Sequence, residues 1–179
     1  RAAFQAKVTL TGALDDLSAC FHAGLHFTDN LARAVVSSRP APQEMLAAFY
    51  IPERSMTKLE VKSRIACSQK RARATAQALT LWKIARKGNW TLAMNLNGCL
   101  MCDLLGISHD PARIALGSGA ICAGLNGTGP AFAAICASVK SCRNVIEAWR
   151  KHLDGTTLMT RVAGGSALAT PQVNMVNSI

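Results

Sequence analysis

The sequence is poor in aromatic residues and in charge. Phe, Trp and Tyr make up 5% of its 179 residues, and charged residues 17%. So few aromatics leave little material for the stacking platforms on which single-stranded nucleic acids are bound. Low charge beside 50% hydrophobic residues excludes a disordered chain and supplies an ordinary core. Long apolar runs are also missing, and none approaches the roughly 20 residues that a membrane-spanning helix needs. The opening Arg1-Ala-Ala-Phe-Gln-Ala-Lys is too short and too polar for a signal peptide. It carries no initiator Met, so the sequence reads as the inside of something longer. The cysteines form no zinc pattern either: Cys99-x-x-Cys102 has no second pair, and no His follows at finger spacing.

Cationic residues, by contrast, are in surplus. Lys and Arg number 20 against 10 for Asp and Glu, a formal net charge of +10 that suits an anionic partner. Seven cysteines, an odd count mostly within apolar stretches, read as reduced thiols of a reducing compartment such as the cytoplasm. The four histidines are scattered. Trp82, Trp90 and Trp149 fall at helical core positions.

The chain's punctuation gives an α+β organisation. Asp15-Asp16 before a small apolar run reads as a helix start that Gly24 ends. Leu25-His-Phe-Thr alternates like a strand, Asp29-Asn30 turns, and residues 31–38 pair back. Pro40 and Pro42 interrupt regular structure and mark a boundary, giving domains 1–40 and 41–179. Beyond it, strands are predicted near 45–51, 120–124, 130–137 and 156–163. A helix is predicted over 59–86, with Val61, Ile65, Ala72, Ala76 and Leu79 inward and Lys62, Arg64, Lys70, Arg71 and Arg73 outward. Others follow over 90–105, from Asp110 (as cap, with Pro111 first) to Gly117, and over 141–153. The sum is helices against one antiparallel sheet.

Gly124-Leu-Asn-Gly-Thr-Gly-Pro is the most informative stretch. Glycines let backbone N–H groups approach a ligand closely, and a nest of such groups binds phosphate. Asn126 and Thr128 add side-chain donors. A plain hairpin needs fewer residues and fewer glycines. Asp15 and Asp16 come second, since a carboxylate beside a substrate hydroxyl can accept its proton. The basic face of the 59–86 helix is the rival signal. It fits a solvated surface, nucleic acid phosphates, or cations that hold a small anionic ligand.

Taken together, Val8-Thr-Leu-Thr-Gly-Ala-Leu-Asp-Asp-Leu-Ser-Ala-Cys20, Gly24, Thr28-Asp-Asn, Ala93-Met-Asn-Leu-Asn-Gly and Gly119-Ala-Ile-Cys-Ala-Gly-Leu-Asn-Gly-Thr-Gly-Pro-Ala resemble, in order and spacing, the archaeal-type shikimate kinases. These belong to the GHMP superfamily of small-molecule kinases, with homoserine and mevalonate kinases. The resemblance covers about residues 7–137. It implies the end of a GHMP N-terminal domain followed by a ferredoxin-like C-terminal domain. It implies transfer from ATP, with Mg²⁺, to the 3-hydroxyl of shikimate in a cytoplasmic enzyme, with neither a membrane nor a nucleic acid as partner. It places nucleotide contacts on Gly124, Gly127 and Gly129, and substrate contacts on Thr11, Gly12, Asn126 and Thr128. The proton-accepting role falls on Asp16, by its distance from Ala23-Gly24, with Asp15 the alternative. No metal ligand is assigned. Asn126 stands where the family has Ser, and Ala23 where it has Gly. The family's upstream Pro-x-x-x-Gly-Leu-Gly-Ser-Ser loop has no counterpart, so the resemblance implies the C-terminal part of a longer kinase and a missing N-terminal part as partner. Homoserine, mevalonate or pantoate as substrate, and a non-catalytic basic module that binds nucleic acid, are the alternatives.

Overall fold

The computed structural model describes residues 24–163 apart from 30–33, 43, 55, 67 and 128. The chain divides into two compact units, the second running from Met45 to Thr160. In the first, β1 (Leu25–Asp29) and β2 (Ala34–Arg39) pair antiparallel. This is the hairpin predicted around Asp29. The predicted helix at Asp15-Asp16 lies outside the described residues.

From Met45 onward the elements are β3 (Leu46–Pro52), α1 (Lys58–Ile65), α2 (Ser68–Arg86), α3 (Trp90–Leu105), α4 (Asp110–Gly117), β4 (Cys122–Leu125), β5 (Phe132–Cys136), α5 (Val139–His152) and β6 (Gly155–Arg161). The strands form one sheet in the order β4-β5-β3-β6, and β5 is antiparallel to both its neighbours. A β-α-β-β-α-β succession with its hairpin at one edge and its first strand beside its last is the ferredoxin-like arrangement, as the resemblance implies.

The core lies where the sheet meets α5. Ala48, Ala134 and Ala123 stand in register across three strands and are at most 1% exposed. Leu46, Tyr50, Phe132 and Cys136 join them in the core. Ser138 caps α5 by accepting from Ser141 N at 3.1 Å, and Cys142, Val145, Ile146 and Trp149 form its buried stripe. Trp149 is fully buried, so its indole N–H needs a partner; it donates to Pro111 O at 2.8 Å. Its ring lies 5.9 Å from that of Tyr50, whose hydroxyl donates to Asp154 O at 2.7 Å. Burial first, then the Asp154 and Glu53 carboxylates, raises the Tyr50 pKa.

Three expectations need correction. The 59–86 helix is two helices. Thr57 and Glu60 cap α1 reciprocally, Thr57 N donating to Glu60 Oε2 at 2.8 Å, and α1 ends at Ile65. Its predicted inward face holds only in α1, where Val61 is buried. Ala72, Ala76 and Leu79 are exposed, and the half-buried or buried side of α2 is instead Ala74, Leu81, Ile84 and Ala85. Finally, Asp110 is the first residue of α4 and not its cap. His109 holds that place, while Asp110 accepts from Ser108 Oγ at 2.9 Å and Arg113 Nη2 at 2.7 Å. Those hydrogen bonds, Arg113's first, lower its pKa.

Candidate functional site

The glycine stretch is the connection between β4 and β5. Asn126 N donates to Ala131 O at 2.8 Å and closes the hairpin's last ladder rung. Gly129 N donates to Asn126 O at 3.1 Å and tightens a turn over 126–129. Gly127 and Gly129 have φ of 62° and 73°, in the left-handed region that β-carbons disfavour. The two differ in surroundings. A Cβ on Gly127 would meet nothing within 4 Å, so one side of this peptide is open to a ligand. A Cβ on Gly129 would stand 2.6 Å from Leu125 Cδ2 and 3.0 Å from Ile107 Cδ1, side-chain ends that can shift, so here the left-handed φ more than packing favours glycine.

Gly124 sits inside β4 and is buried. Its neighbour is α3: a Cβ on Gly124 would lie 3.0 Å from Met94 O, and one on Gly98 would lie 2.7 Å from Gly124 Cα. Two glycines thus let the helix and strand backbones touch. On the same stretch, Asn95 Oδ1 accepts from Ala123 N at 2.8 Å. Asn95 and Gly98 belong to the Ala93-Met-Asn-Leu-Asn-Gly stretch of the family resemblance, which assigns them no role. Only the tertiary meeting of α3 and β4 reveals one.

Of the residues predicted from sequence, Gly124, Asn126, Gly127 and Gly129 lie together on this hairpin, with Asn126 and Gly127 exposed. Thr11, Gly12, Asp15, Asp16 and Thr128 lie outside the described residues. Two cations of the 59–86 stretch have local partners. Arg64 donates through Nη1 to Leu105 O and, at 3.4 Å, to Gly106 O, so it caps the carbonyl end of α3. The Arg86 guanidinium lies 4.7 Å above the Trp82 ring. Cys99 is exposed whereas Cys102 is 1% exposed. The five described cysteines are free thiols, and among the described residues no His, Cys, Asp or Glu cluster could hold a metal ion. A cavity of about 310 Å³ between α2 and α3, lined in part by Arg73, Gln77 and Asp103, contains none of the predicted site residues.

No family model matches the chain. The shikimate kinase of Methanothermobacter thermautotrophicus is 36% identical to it over 161 residues, which are 90% of this chain and 53% of that protein. The chain is a relative of the archaeal shikimate kinases. That of Methanothrix thermoacetophila is likewise 36% identical, over 93% of this chain and 54% of its own length. The chain spans about half the length of the curated relatives it matches. Among solved structures, homoserine kinase from Cytophaga hutchinsonii superposes with a TM-score of 0.60 at 18% identity, over 90% of this chain and 56% of that one. At such identity the likeness concerns fold, and it agrees with the GHMP kinase architecture. Within an archaeal shikimate kinase framework, the β4–β5 hairpin is the candidate phosphate-binding element of this half.

Proposed function

We propose that this chain forms part of a kinase that transfers the γ-phosphoryl group of ATP to the 3-hydroxyl of shikimate in the cytoplasm. The observation that carries the reading is the 36% identity to archaeal shikimate kinases over nine-tenths of the chain. The hairpin supports it: an exposed turn of left-handed glycines, open on the Gly127 side, fits the approach of a phosphate to backbone N–H groups. We read residues 1–40 as the end of the N-terminal domain and 41–179 as the C-terminal domain.

In this reading, ATP supplies the phosphoryl group and Mg²⁺ offsets its charge when both are bound. Asn126, Gly127, Thr128 and Gly129 hold phosphate and substrate oxygens. Gly124 contributes by letting α3 seat the hairpin. Thr11 and Gly12 orient shikimate. Asp16, or in its place Asp15, accepts the hydroxyl proton on a carboxylate oxygen. Positioning and charge neutralisation carry phosphoryl transfer, so a chain without the upstream phosphate loop lacks most of what the reaction needs. The test is ADP release measured with shikimate, homoserine, mevalonate and pantoate. The complete protein is expected to turn over shikimate alone at ~1–100 per second. The 179-residue chain by itself is expected to show less than about 0.1 per second against that range. Faster turnover by the chain alone, or preference for another acceptor, overturns the reading.

A further inference from the structure

We propose that Asn95 is a positioning residue for the glycine hairpin, its amide oxygen pinning the outer edge of β4 so that the loop from Asn126 onward has a fixed base. The inference rests on reading that loop as the phosphate-binding element.

Among the described residues β4 is an edge strand, paired on one side only. Asn126 and Ala131 form a hydrogen-bonded rung. Antiparallel ladders alternate, so 124/133 and 122/135 are rungs of the same kind and the Ala123 N–H turns away from β5. Ala123 is 1% exposed, so water cannot serve that N–H, and an unmet buried donor is costly. Asn95 Oδ1 meets it at 2.8 Å. Three residues on, Gly98 brings the helix backbone against Gly124 Cα, while Gly124 leaves room for Met94 O. One turn of α3 therefore grips two consecutive residues of β4, and the turn begins two residues later.

A strand held by pairing on one side can fray or slip. A slip of one residue would exchange inward-facing and outward-facing groups all along it. The Asn95 contact opposes that slip because its acceptor fits only an outward-facing N–H. The donor is a backbone N–H, so any acceptor of this size suffices. Aspartate can replace the amide oxygen, whereas the similarly sized leucine cannot.

The experiment compares Asn95→Leu with Asn95→Asp by backbone amide hydrogen exchange on the 179-residue chain. Asn95→Leu is expected to speed exchange at Ala123 and Asn126 at least about tenfold, which corresponds to about 1.4 kcal/mol, while Val145 and Ile146 in α5 keep their rates. Asn95→Asp is expected to hold the original rates. Asn95→Ala, a better helix former without an acceptor, gives the same contrast if the leucine variant does not fold. In the complete kinase, the leucine variant is expected to raise the KM for ATP by more than it lowers kcat, with recovery in the aspartate variant. Unchanged exchange in Asn95→Leu, or equal acceleration in Asn95→Asp, overturns the inference. If exchange shifts as expected while the complete protein releases no ADP with shikimate, the positioning role stands and the kinase reading falls.

Discussion

Gly98→Ala sets two well-measured effects against each other. In an exposed helix the change stabilises, because alanine is favoured over glycine by about 0.8–1 kcal/mol. Gly98 is buried in α3, and the new Cβ would lie 2.7 Å from Gly124 Cα and 3.4 Å from Ala123 O. Ordinary carbon contacts lie near ~3.5–4.0 Å, so helix and strand must part by about 1 Å. Both crowded atoms are backbone, and neither can rotate away. Overpacking of this kind costs about 1–3 kcal/mol. Parting the elements also stretches the Asn95–Ala123 hydrogen bond, worth a further ~0.5–1.5 kcal/mol. The crowding wins, and the net loss is about 2 kcal/mol. For a chain of this size each kcal/mol moves Tm by roughly 2–4 °C, so circular dichroism melting should show a fall of about 4–8 °C. Gly117→Ala, where a Cβ meets nothing within 4 Å, is the control and should not lower Tm. A Gly98→Ala chain that melts at or above the original would refute the close-packing argument.

Three further predictions follow from the same geometry. Gly127→Ala meets no protein atom but keeps a φ of 62°, so it should cost only about 1–2 kcal/mol in stability; a rise in the KM for ATP beyond that strain, in the complete kinase, would mark direct ligand contact, and an unchanged KM would make the loop a hairpin only. Asp16→Asn in the complete kinase should lower kcat by at least about 10²-fold with little change in Tm, and Asp15→Asn should cost less; the reverse order would move the base to Asp15. Burial pushes the Cys102 thiol from 9.0 up to about 11 and that of Cys122 up to about 12. The folded state then holds protons that the unfolded chain releases, so stability should be full below pH 9 and decline as pH rises through 11 to 12. Urea midpoints that stay flat from neutral pH to pH 11 would contradict this.

Much of the fold is legible in the sequence because its punctuation is chemical. Gly88 and Gly106, with φ of 97° and 61°, end α2 and α3 where glycine alone is at ease. The α5 stripe of Val145, Ile146 and Trp149 has one possible period. The break between α1 and α2 is hidden, since it carries neither Gly nor Pro: α1 closes on Ala66, whose backbone N–H donates to Lys62 O at 3.0 Å with no side-chain signal. The face of α2 misleads for a related reason. Alanines at 72, 74, 76 and 78 let two opposite stripes match a helical repeat, and tertiary contacts with α3 choose between them. At the candidate site, Gly127 and Gly129 declare a turn locally. Asn95 and Gly98 do not declare themselves, because their partners are 28 and 26 residues away, respectively.

That choice of face leaves α2 in an unusual energetic position. From Ala72 to Thr80 every side chain but the half-buried Ala74 is exposed, and Leu79 retains 59% of its accessible surface. Helices in proteins owe most of their stability to a packed apolar face. The outer turns of α2 draw instead on the intrinsic preference of four alanines, at 72, 74, 76 and 78, for the helical state. Such a segment opens at low free energy while the sheet and α5 stay closed. The molecule should therefore come apart in order: limited proteolysis would cut first in the N-terminal half of α2, leaving the sheet, α5 and the hairpin gripped by α3 as the resistant core.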